Sequence, residues 1–117
     1  MIMSELPRAE VSPRIDNGIL RWYEGDTFSY DLCINLMDDS GDTVNVSSSG
    51  TVTVTFRNRK NEIVKTFTFT NVENNMVSMT FDSTCTALFP KGSYTYDVFL
   101  DDNKRTTIGS DLQAIVE

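Results

Sequence analysis

Apolar and polar residues alternate along much of this chain with a period of two. Tyr94, Tyr96, Val98 and Leu100 point one way, and Thr95 and Asp97 the other. That period marks a strand with one buried face. Phe28, Tyr30, Leu32, Ile34 and Leu36 alternate with Ser29, Asp31, Cys33 and Asn35 in the same manner, and Val52, Val54 and Phe56 with Thr53, Thr55, Arg57 and Arg59. No segment carries a sustained helical period and no internal repeat is evident.

Taken in order, residues 1–13 hold Pro7 and Pro13 without periodicity and are expected to form a flexible N-terminal arm. A first strand is expected over 18–23, with Asn17-Gly18 as a bulge or turn. Glu24-Gly25-Asp26 turns the chain into the strand 28–36. Asp38 to Asp42 reads as a turn, Ser47 to Gly50 as a loop, with room for a short edge strand at Val44 and Val46. Strands at 51–59, 63–70 and 77–82, joined by short polar turns, are expected to form an antiparallel meander. Asp82 or Ser83 caps a short helical turn near 83–89, which Pro90 ends and which carries the chain from one sheet to the other. The strand 93–100 follows, then the hairpin turn at Asp101 to Lys104. The last strand runs over 105–116, with Ile108, Leu112, Ala114 and Val116 inward and a bulge at Gly109-Ser110. Pro90 and Gly92 make a corner, and Tyr94 and Tyr96 follow it directly, where an immunoglobulin-like sandwich places its tyrosine corner. The expectation is an all-β, immunoglobulin-like antiparallel β-sandwich of about seven strands, in one domain over 14–117, with 93–100 as its central strand.

At 117 residues the chain suits one core rather than two. Its start lacks the basic flank and apolar core of a signal peptide. If it begins there naturally, it is made and kept in the cytoplasm or leaves inside a larger particle. The net charge of −7 opposes nucleic acid and anionic membrane as partners. Cys33 falls opposite the large apolar residues of its strand and Cys85 lies in a connection. Tyr96 stands where an antibody-type domain would have its second cysteine, so no disulfide is expected.

The chain contains no histidine. That removes the Ser-His-Asp and Cys-His nucleophilic systems and every His-based metal site. No Gly-rich phosphate loop is present. Asp31 and Asp97 are the only acids mid-strand on polar faces; a glycosidase needs two carboxylates across a cleft, and the plainer reading is two solvated acids. Asp38, Asp39, Asp42, Asp101 and Asp102 offer calcium-type oxygens, but acidic residues with Gly in a turn mostly just make the turn. Arg57, Arg59 and Lys60 form a basic patch, able to dock an acidic partner or, more simply, to blunt an exposed strand edge. Trp22 and Tyr23 are candidates for a sugar platform, although a lone Trp in a small domain more often fills the core. Phe99 points outward and is a candidate contact surface. No catalytic, cofactor or metal residue is assigned, and a small-molecule ligand is not expected.

Gly25-Asp26-Thr27 leading into a long alternating strand, the Asp38–Gly41 turn with Val44 and Val46, a Thr/Val strand ending in Arg and Lys, and Pro90-x-Gly92-x-Tyr94-x-Tyr96 together resemble the N-terminal domain of phage baseplate upper proteins and related immunoglobulin-like tail and neck modules. The resemblance covers roughly 20–116. It implies a non-enzymatic virion structural part that docks on tail components and forms symmetric oligomers, and it carries over no functional residue. In that family further domains usually follow, whereas this chain stops after its last strand. A bacterial carbohydrate-binding or adhesion sandwich is the alternative, and a small hydrolase using carboxylates a more distant third.

Overall fold

Eight strands and one helical turn follow each other in the computed structural model, which describes residues 12–46, 49–70 and 72–117. They are β1 Arg14–Asp16, β2 Ile19–Trp22, β3 Phe28–Cys33, β4 Thr51–Arg57, β5 Ile63–Phe69, β6 Met76–Phe81, α1 Ser83–Thr86, β7 Gly92–Asp102 and β8 Lys104–Val116. One sheet has the order β1-β2-β8-β7-β4-β5; the other is the pair β3-β6. The chain is thus an all-β sandwich, and β7 lies in the middle of its larger sheet. The arm expected over 1–13 falls largely outside the described residues.

The apolar residues of the alternating stretches meet between the sheets. Trp22, Val52, Val54, Phe56, Met79, Phe81 and Phe89 have no exposed surface, and Tyr94, Tyr96, Val98 and Leu100 are buried beside them. Phe56 is the hub, with the rings of Trp22, Phe67, Phe81, Phe89 and Tyr96 all within 6.5 Å of its own. Edge-to-face and offset contacts of this kind add to the burial of large apolar area. Trp22 is therefore core, not platform.

Four expectations need correction. The larger sheet is mixed rather than purely antiparallel, because β2 runs parallel to β8. Parallel neighbours need a long connection, and nearly the whole chain lies between these two. A short strand, β1, precedes the one expected to be first: Asn17 and Gly18 have φ of 53° and 79° and form the tight turn of a β1–β2 hairpin. The meander breaks after β5, since β6 pairs with β3 across the sandwich. Phe67 faces Phe81 there at 5.3 Å, so β6 covers the larger sheet instead of widening it. Lastly, β4 lies between β7 and β5, so Arg57 protects no edge, and Arg59 lies beyond the strand in the turn that follows it.

Other expectations stand. Asp82 caps α1 by accepting from the Cys85 N–H at 2.8 Å, and α1 connects β6 of the small sheet to β7 of the large one. Pairing between β7 and β8 jumps from Tyr96–Leu112 to Val98–Gly109, a bulge at Ser110 and Asp111. The Asp111 N–H donates to Asp97 Oδ1 at 2.8 Å and pins it. The short edge strand allowed at Val44 and Val46, by contrast, does not form; Asn75 holds 44–46 instead, its Oδ1 accepting from the Val46 N–H at 2.8 Å and its Nδ2 donating to the Val44 carbonyl at 2.9 Å.

Candidate functional site

The two carboxylates raised as a catalytic pair are not together. Tyr30 and Leu32 face the core from β3, so Asp31 points out of the small sheet. Tyr96 and Val98 face it from β7, so Asp97 points out of the large one. They stand on opposite outer faces, and Asp97 is further engaged by Arg57 at 3.7 Å. The calcium candidates are likewise apart. Asp38 Oδ1 accepts from the backbone N–H groups of Ser40 and Asp42, both at 2.9 Å, while Asp101 is held by Arg105. That hydrogen bond from Arg105 is the main cause that lowers the Asp101 pKa. Among the described residues no three Cys, Asp or Glu side chains gather to hold a metal ion. Phe99, outward as expected, is covered by the Arg105 guanidinium 5.0 Å from its ring centre. Both cysteines are free, Cys33 exposed and Cys85 buried.

Two groups stand out among the described basic residues, apart from Lys65 and Lys104. Arg14, Arg21, Arg57 and Arg105 pair with Glu117, Asp16, Asp97 and Asp101 across the outer face of the large sheet. Arg59, Lys60 and Lys91 form no ion pair among the described residues, and all three line one groove of about 230 Å³ together with a single acid, Glu62. The hairpin between β4 and β5 meets the corner before β7 there. Each wall is fixed locally. Asn58 Oδ1 accepts from the Lys60 and Glu62 N–H groups at 2.9 and 3.0 Å, and its Nδ2 holds Glu62 at 3.1 Å. This closes the turn that presents Arg59 and Lys60. On the other wall the Tyr94 hydroxyl donates to the Pro90 carbonyl, and the Lys91 N–H donates to Glu24 Oε2 at 3.2 Å. The groove continues into a chamber of about 150 Å³ bordered by Arg59, Thr95, Gln113 and Ile115 and by Tyr94 and Ala114, which are themselves buried. The sequence showed Arg59 and Lys60 as a patch. Lys91 joins them only through the fold, and Arg57 leaves them for Asp97.

The second candidate surface is backbone. Among the described residues β1 and β5 bound the large sheet, and β3 and β6 each have one side without a strand neighbour. β1 is three residues long and bears Arg14 and Asp16, and β5 carries Lys65, charges that discourage pairing. β6, Met-Val-Ser-Met-Thr-Phe, has neither a charge nor a proline.

Compared with protein-family models, curated proteins and solved structures, the chain matches none.

Proposed function

We propose that the chain is a non-enzymatic, immunoglobulin-like assembly module, a tail or baseplate part of a phage or prophage particle that acts by binding other proteins. Its strand order supports the immunoglobulin-like reading. β2, β8, β7, β4 and β5 form one layer, β3 and β6 face them, and a tyrosine corner ties the start of β7. The separation of Asp31 from Asp97 and the internal use of nearly all large aromatics favour a structural role over a carboxylate enzyme or an aromatic sugar platform.

The observation that carries the reading is the free side of β6. An uncharged, proline-free edge strand offers its N–H and C=O groups to an added strand, and main-chain pairing of that kind is a recurring mode of protein recognition. The test is to purify particles from the cells that make the protein and measure its copy number in them, for the native chain and for S78K and T80K. The native chain is expected in the particles in a fixed symmetric ratio, with the lysine variants folded but poorly incorporated. A chain that stays free while particles assemble overturns the proposal.

A further inference from the structure

The groove of Arg59, Lys60 and Lys91 lies at the end of the sandwich where β7 begins; the Asp38–Asp42 turn lies at the end where β7 finishes. β3 starts beside Trp22, whose ring is 5.4 Å from that of Phe28, and runs away from the groove. The chain after β3 then re-enters at Thr51, opposite Asp101 near the far end of β7. Eleven strand residues separate the two ends, roughly 35 Å at the usual rise. The turn is a built projection. The Asp38 N–H donates to the Asp42 carbonyl at 2.9 Å, the Gly41 N–H donates to the Asp38 carbonyl at 3.0 Å, and Met37 is bridged to Thr43. At its base Met37 is 73% exposed, the most exposed large apolar residue of the described chain. Asp39 and Asp42 are exposed and have no cationic partner among the described residues.

Tip and groove complement each other twice. The groove carries three cations and one carboxylate, Glu62, while the tip presents Asp39 and Asp42, with Asp38 bonded to its own turn; the exposed Met37 has a counterpart in the chamber beside Ile115. We infer that the groove receives the Met37–Asp42 tip of a second copy of this chain, with Met37 in the chamber and the aspartates against Arg59, Lys60 and Lys91. This rests on the assembly reading above and names a partner for it. The two surfaces differ and lie at opposite ends, so the contact is heterologous and propagates head to tail, closing into a ring or continuing as a filament. The net charge of −7 repels copies at long range, so the contact belongs at moderate ionic strength, where repulsion beyond about 8–10 Å is screened and close pairs persist.

The test uses three purified proteins in sedimentation at near-physiological salt: the native chain, a groove variant (R59S with K91S) and a tip variant (D39S with D42S), neutral changes that create no new complementary pair when the two are mixed. The native chain is expected to associate beyond a dimer as concentration rises, and each variant to remain monomeric. Mixed, the two variants are expected to form a 1:1 pair that grows no further, because only one tip and one groove remain native. M37S is expected to weaken native association roughly tenfold to a hundredfold, the loss of one buried methionine. Far-ultraviolet circular dichroism confirms that each variant is folded. A native chain that is monomeric at every concentration overturns the inference, and so does a mixture that forms no pair. Association that persists unchanged in either variant also overturns it, while leaving the β6 edge as the route of assembly.

Discussion

The hydroxyl of Tyr94 donates to the carbonyl oxygen of Pro90, four residues earlier, and so ties the first inward residue of β7 to the corner that precedes it. The bond lets the chain leave α1, turn at Gly92 with φ of 152°, and enter the central strand with its aromatic face already inward. Removing only the oxygen, in Tyr94→Phe, is expected to cost about 1 kcal/mol. In a domain of this size that lowers the thermal midpoint by a few degrees. Scanning calorimetry of the two proteins checks it, and equal midpoints would show that the tie is idle.

Phe56 joins the aromatic residues of both layers. Phe56→Ala is expected to destabilise by about 3–5 kcal/mol through lost burial and the cavity left behind. That is a large share of the stability of a small domain. Phe56→Leu, which keeps most of the volume, is expected to cost about half as much. Urea denaturation followed by Trp22 fluorescence reads both.

Stability is expected to fall in strongly alkaline solution. Burial, with a smaller contribution from the nearby Tyr30 hydroxyl, pushes the Tyr96 pKa up to about 12 from 10.0. Burial also raises Tyr94, with Glu24 adding to it, and Tyr30, with Cys33 adding to it. A tyrosine whose folded pKa is raised binds its proton more tightly in the folded state. Its contribution is intact below the unfolded value near 10 and is lost as pH climbs toward 12. The loss from Tyr96 is of order 1–2 kcal/mol after allowance for partial solvent screening. Denaturant midpoints are expected to be level just below pH 10 and to drop above it, with a shallower drop in Tyr96→Phe.

The cysteines report the same geometry at neutral pH. Cys33 lies on the outer face of β3, while Cys85 is buried in α1 with its thiol pKa raised, chiefly by burial. A thiol reagent is expected to modify one cysteine per chain rapidly and the second only on unfolding. Native Cys33→Ser is expected to be unreactive over the same period. Rapid labelling of both thiols would contradict the packing of α1.

Much of this arrangement is legible in the residues, and the limits have physical causes. Alternation states which face of a strand is buried, so the inward rows of β4 and β7 read correctly. It does not state which strand lies alongside, so the pairing of β6 with β3 and the parallel contact of β2 with β8 are invisible in it. β1 is too short to alternate, and its only trace is the Asn17-Gly18 turn. Arg59 and Lys60 are adjacent and easily seen. Lys91 reaches them through the β4–β7 pairing, which a single sequence does not display.

Hydrogen exchange, compared between the free chain and the chain within its native particle, addresses the assembly reading most directly. The amides of Met76–Phe81 that face away from β3 should exchange readily in the free chain and become protected in the particle. Unchanged exchange along the free side of β6, in a chain shown to be part of the particle, would contradict strand addition at that edge.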